Sequence, residues 1–151
     1  MLDDIDRHLL RQWQADPDLT ATDLAAILGL PAARVSRRID RLRETGVLRG
    51  VHGVIDWGAL GYAVEVSLRI QLDKTVPGAF DRFMDAARKV PEVTQMQTFL
   101  GRVDLRLTVI ARDMGHWQTL YRDRILTLPH IAEIEALMHV ANVKTDQSLP
   151  I

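Results

Sequence analysis

From Thr20 to Gly46 the chain reads TATDLAAILGLPAARVSRRIDRLRETG, and this stretch restricts the fold more than any other. Thr20 followed three residues later by Asp23 has the spacing of a capping box, with Asp in place of the usual Glu, and Leu19 and Leu24 flank it as a hydrophobic staple would. Leu24, Ile27 and Leu28 are expected to share one face of a first helix, which Gly29 ends in the left-handed conformation. Proline is tolerated in a helix's first turn, so a second helix is predicted to start at Pro31 or Ala32 and to run to Gly46.

Val35, Ile39 and Leu42 form the apolar stripe of that second helix. Arg34, Arg37 and Arg41 follow one another at spacings of three and four, with Arg38 beside them and Ser36 near the exposed N-terminal end. A short helix that packs by one side and carries guanidinium groups on the other has the layout of a helix-turn-helix, in which one helix braces and the next enters a DNA major groove. An Arg-rich solvated face on some other helical hairpin is the plainer alternative. Val47 to Asp56 mixes β-branched residues with polar ones and glycines, as a hairpin does. It is predicted to form a small β-wing, from which Arg49 and His52 reach the DNA backbone.

The formal net charge of -1 hides a segregation. Residues 1 to 31 carry two arginines against six aspartates, whereas residues 32 to 50 carry six arginines against two acidic residues. A local excess of this kind acts on a polyanion within a Debye length, while the acidic flank limits indiscriminate binding. The absence of cysteine excludes disulfides, thiol catalysis and Cys-ligated zinc, and fits a cytoplasmic protein. No run has the length of a membrane span, and the acidic start MLDDIDRHLLRQ differs from a signal peptide.

A further helix is expected over Asp3 to Ala15, capped by Asp3 or Asp4 and apolar at Ile5, Leu9, Leu10 and Trp13, closing a three-helix core. Asp16-Pro17-Asp18 is a turn. Beyond residues 57–61, a connector with two glycines, the pattern changes. Val64, Val66, Leu68, Ile70 and Leu72 alternate with polar residues as in a half-buried strand. Residues 77 to 90 place Phe80, Phe83, Met84 and Ala87 on one helical face. Strands are predicted over 93–99 and 104–111 around a turn at Gly101-Arg102, then a helix over 114–128 with Met114, Trp117, Tyr121, Ile125 and Leu128 inward, then a strand over 131–143. The order strand, helix, strand, strand, helix, strand is the split βαβ arrangement called ferredoxin-like. Its open face, with Ser67, Gln71, Thr108, Leu137 and His139, is expected to be a subunit interface.

The fold class expected is therefore α+β: a winged helix-turn-helix in residues 1–56, a linker at 57–61, and a βαββαβ domain in residues 62–151. In this order the chain resembles the Lrp/AsnC family, the leucine-responsive or feast/famine regulators, whose second domain is of the RAM type. The likeness is carried by Leu2 to Arg7, Asp23-Leu24-Ala25, Gly29-Leu30, Val35 to Ile39, Arg41-Leu42 and Gly46 to Gly50. It resumes at Asp56, Leu60-Gly61, Pro91-Glu92-Val93, Gly101 to Asp104, Arg112-Asp113-Met114, Leu128-Pro129, Val143-Lys144 and Leu149-Pro150.

The resemblance implies a non-enzymatic transcriptional regulator that binds double-stranded DNA and a small effector, usually an amino acid. Its members form dimers that assemble further, often to octamers. By position, DNA contacts fall to Arg34, Ser36, Arg37, Arg38, Arg41 and Arg49, with Arg38 also placed to brace the fold. The effector site centres on Leu100, Gly101, Arg102, Val103 and Asp104 with Ile134 and Ala136 of the last strand. No cofactor or metal is implied. The chain departs from the family pattern at Pro31, where serine is more usual. At Leu100, Ile134 and Ala136 it lacks the usual threonines, at Val103 an aromatic, and at His130 the glycine usual after Leu-Pro. With fewer hydroxyls to hold a carboxylate, a more apolar ligand, or none, is expected. Two alternatives stand beside this reading: an enzyme like the related tetrapyrrole decarboxylases, for which His116, His130 and His139 lack metal-ligand spacing, and an architectural protein of low sequence preference.

Overall fold

The computed structural model describes residues 1–144 and 148–151; residues 145–147 of the expected second domain lie outside it. The chain divides into two compact units, residues 1–54 with 144–151, and residues 55–143. By packing, the end of the expected 62–151 domain therefore belongs to the first unit.

Three helices build the first unit. α1 (Asp4–Ala15) starts at a capping box in which Asp3 accepts the Asp6 N–H at 2.8 Å and Asp6 accepts the Asp3 N–H at 3.2 Å. α2 (Ala21–Leu28) starts at the predicted Thr20–Asp23 box and ends at Gly29, whose φ of 64° suits a residue without Cβ. α3 (Ala32–Glu44) has no side-chain cap at Pro31, and its last turn is closed by the Thr45 hydroxyl donating to the Arg41 carbonyl at 2.8 Å. Leu9, Leu24, Ala25, Val35, Ile39 and Leu42 form the core. Ile27 does not join them and is exposed, contrary to the reading of the α2 face. Leu24, Ala25 and Leu28 set that face, and steps of about 100° per residue put Ile27 at its margin.

The predicted β-wing is not a hairpin. Residues 47–56 contain no strand. Val51, Val54 and Ile55 are exposed, so no buried face selects a pairing register.

The second unit is an antiparallel sheet of order β2-β3-β1-β4, formed by β1 (Val64–Leu72), β2 (Val93–Thr98), β3 (Leu105–Ala111) and β4 (Ile131–Met138). This is the ferredoxin-like order that the alternation of elements predicts. α4 (Ala79–Ala87) and α5 (Met114–Leu120) cover one face, where Val66, Leu68 and Ile70 meet Phe83, Trp117, Leu120 and Ile125. Phe80 and Met114, expected inward, are partly exposed on the outer sides of these helices.

α5 continues into a π-helical turn at Tyr121–Ile125. The residues Trp117, Tyr121 and Ile125 are four apart, a spacing that drifts about 40° per step on an α-helix, and the wider turn takes that drift back. β4 stops at Met138 rather than running to 143, although the His139 N–H still reaches the Glu65 carbonyl at 2.9 Å. On the open face Thr108 is buried rather than wet.

Candidate nucleic-acid interface and ligand cleft

Four of the five arginines of α3 fall into two pairs, according to whether Asp3 and Asp6 engage them. Arg38 lies nearest the stripe and is half-buried. Its Nη1 binds Asp3 at 2.8 Å and Asp6 at 2.7 Å, and Asp6 also takes Arg41 Nη2 at 2.5 Å. Asp6 is buried inside the arc that Ile5, Leu9, Leu10 and Trp13 span on α1, so its charge is held by the two guanidinium groups of the facing helix. The Asp6 N–H first, and then Arg38, hold the Asp3 carboxyl down at about 2, and the same ion pairs raise Arg38.

Arg34 and Arg37 behave differently. Both side chains are exposed and make no ion pair or hydrogen bond with the described residues. Arg37 points directly away from the stripe, next to Ala33, in the N-terminal half of α3. The outward side of the C-terminal half instead presents Asp40, paired with Arg43 at 3.7 Å, and Glu44. Positive charge free to meet a polyanion is thus concentrated at the end of the helix that reaches base edges in a helix-turn-helix. Ser36 is not on the arginine row. It is half-buried on the flank of α3, where it lines a cleft with Thr20 and Ala21 at the start of α2. Arg49 is exposed on the segment after α3.

In the second unit the β2–β3 turn and β4 meet at a cleft of about 530 Å³ lined by Arg69, Gln71, Arg102, Val103, Glu133, Ile134 and Glu135. Of the residues predicted for the effector, Arg102, Val103 and Ile134 line it. Leu100 is fully exposed at the turn, and Ala136, opposite Leu68, belongs to the helix-covered face. Asp104 is buried and ties the turn down: its carboxylate accepts the Leu72 N–H and pairs with Lys74, both at 2.9 Å. Burial pushes its pKa up, and the Leu72 N–H together with Lys74 outweighs that, leaving the carboxyl below its ordinary value.

The cleft's charged walls were missed by reading hydroxyls alone. Arg69 faces Glu135 at 3.6 Å and Gln71 donates to Glu133 at 2.9 Å. Their signal was the alternation itself, since the polar residues of β1 and β4 share the open face. Asp3 and Asp6 had a signal too, as carboxylates on the helix that must brace an arginine-rich one.

The family model described as the Lrp/AsnC ligand binding domain matches residues 65–149, and that described as winged helix-turn-helix DNA-binding matches residues 2–49. An HTH-type transcriptional regulator of Mycobacterium tuberculosis is 30% identical over 142 residues, 94% of either chain. The leucine-responsive regulatory protein of Escherichia coli is 26% identical over 150 residues, 99% of this chain and 92% of that one. Among solved structures, an AsnC family regulator from Agrobacterium tumefaciens superposes with a TM-score of 0.87 at 28% identity, over 99% of this chain and 97% of that one. The fold is shared with a Neisseria meningitidis regulator crystallised with L-Met, at a TM-score of 0.90 and 23% identity over 99% and 97% of the two chains. With both of its halves matched and its relatives named as transcriptional regulators, this chain belongs to the Lrp/AsnC family: it is a transcriptional regulator, not an enzyme, with a DNA-binding helix-turn-helix and a ligand-binding domain.

Proposed function

We propose that the protein is a sequence-specific regulator in which Arg34 and Arg37 of α3 carry operator recognition. Ser36 and Arg49 contact DNA at the flanks, Arg41 shifts between Asp6 and the phosphates, and Arg38 stays in the fold as a brace. The observation that carries this is the separation of two guanidinium groups on the N-terminal half of α3, without an ion pair among the described residues, from two that Asp3 and Asp6 neutralise. Electrophoretic shifts over a salt series test it, using the promoter beside the protein's own gene and random DNA of equal length. Arg37→Ala is expected to weaken promoter binding by roughly tenfold or more if it reads a base. If it contacts phosphate, it lowers the slope of log affinity against log salt by about one. Wild-type affinity in both Arg34→Ala and Arg37→Ala would refute the assignment, and equal affinity for random DNA would favour the architectural reading.

The ligand we infer is an α-amino acid. Arg102, which has no ion pair among the described residues, suits its carboxylate, and Glu133 and Glu135 suit its ammonium group. The cleft has the size of a small-molecule site, and a structural relative was crystallised with L-Met. The ionic walls favour this ligand over the more apolar one expected from the missing threonines. Calorimetric titration with L-methionine and a panel of other amino acids should give binding that Arg102→Ala weakens at least tenfold; no heat with any of them would reject this ligand class. We further infer homodimers, assembling to higher oligomers such as octamers, through the open sheet face, which carries Arg69, Arg106 and Leu137. Sedimentation as a monomer at micromolar concentration would reject that.

A further inference from the structure

Beyond Val143 the chain leaves the unit that holds its last strand, β4. Residues 144–151 belong to the first unit, so the polypeptide enters the DNA-binding unit twice. There, Leu149 and Ile151 line an apolar groove of about 650 Å³ whose other walls include Leu10 and Trp13 of α1 and Leu48 and Val51 after α3.

The seat is held by a clasp of polar bonds. The Gln14 side-chain amide donates to the Leu149 carbonyl at 2.8 Å and accepts the Leu149 N–H at 2.9 Å, as a neighbouring β-strand would. Arg11 Nε donates to the Ile151 carbonyl at 2.5 Å. Both clasp residues stand on α1, the helix whose Asp3 and Asp6 hold Arg38 and Arg41 of α3. One helix therefore carries the arginine brace at its start and the clasp at its end.

We propose that the C-terminal end of α1 is the docking site for the chain's own 148–151 segment, and that seating the segment sets the DNA affinity of α3 by holding α1 in place. The contacts are few, backbone-directed and solvent-accessible, which suits a strap that opens and closes rather than a permanent part of the core.

The absence of native cysteines makes a direct test clean. In full-length protein carrying Q14C and L149C, mild oxidation is expected to form a disulfide within one chain, seen as a monomer of altered mobility on a non-reducing gel. A covalent dimer would place the segment on a second copy, and no cross-link would show the end of α1 unoccupied by it; either overturns the proposal. In parallel, Gln14→Leu and Ile151→Asp are expected to weaken promoter binding at least fivefold, with the oxidised Q14C/L149C protein binding as wild type does. Affinity within twofold of wild type in both variants overturns the control of α3. Circular dichroism on each variant separates loss of seating from loss of fold, and an unfolded variant is replaced by Gln14→Glu, which keeps the acceptor and loses the donor, with the same affinity criterion.

Discussion

A single side chain, His130, explains how this chain differs from its family's pattern after Leu128-Pro129. It has a φ of 64°, the one positive value outside glycine among the described residues, because its carbonyl must accept the Asp73 N–H at 2.9 Å where β4 begins. A Cβ in that conformation costs about 1–2 kcal/mol. His130→Gly is therefore expected to stabilise the protein by about 1 kcal/mol, read as a higher urea midpoint with unchanged slope. Asp6 works in the other direction. Removing it leaves Arg38 half-buried without its inner partner, and Asp6→Ala is expected to cost about 3 kcal/mol. Neither residue was picked out by type alone. A histidine after proline reads as a loop, and an aspartate in a helix's first turn reads as a cap.

The α1–α3 pair gives an element-scale signature in pH. Asp3 is lowered from 3.8 to about 2 by the Asp6 N–H and Arg38, so its ionised form favours the folded state. The stabilisation is complete above pH 4 and is lost as pH falls through 4 towards 2. Asp3→Asn keeps a good capping side chain but cannot ionise. Its acid unfolding, followed by helical ellipticity, should accordingly be shallower over that window than wild type. The helices themselves were legible from caps, glycines and apolar spacing, because those are local. That residues 47–56 hold no strand was not: Val47 to Asp56 has the right residue types, but a strand needs a partner and a buried face, and neither is written in the segment itself.

At the scale of the molecule there are two separate cores, one around Leu9 and Leu24 and one around Leu68, Phe83 and Leu107. Differential scanning calorimetry should resolve this. Leu9→Ala, worth about 3 kcal/mol at a fully buried site, is expected to lower the transition of the helical unit alone, and Phe83→Ala that of the sheet unit alone. A single transition displaced equally by both variants would show that the units unfold together.

The sequence by itself determined the helix-turn-helix, the βαββαβ order and the family, since periodicity, caps and turn residues act over a few neighbours. Only the tertiary structure decided which arginines of α3 are tied into ion pairs, because that depends on the carboxylates of a helix some thirty residues earlier. It also decided that the cleft between the β2–β3 turn and β4 is lined by charge, and that residues 148–151 pack on α1. Each of these is a contact between distant parts of the chain, chosen by complementary charge and shape once the elements have come together.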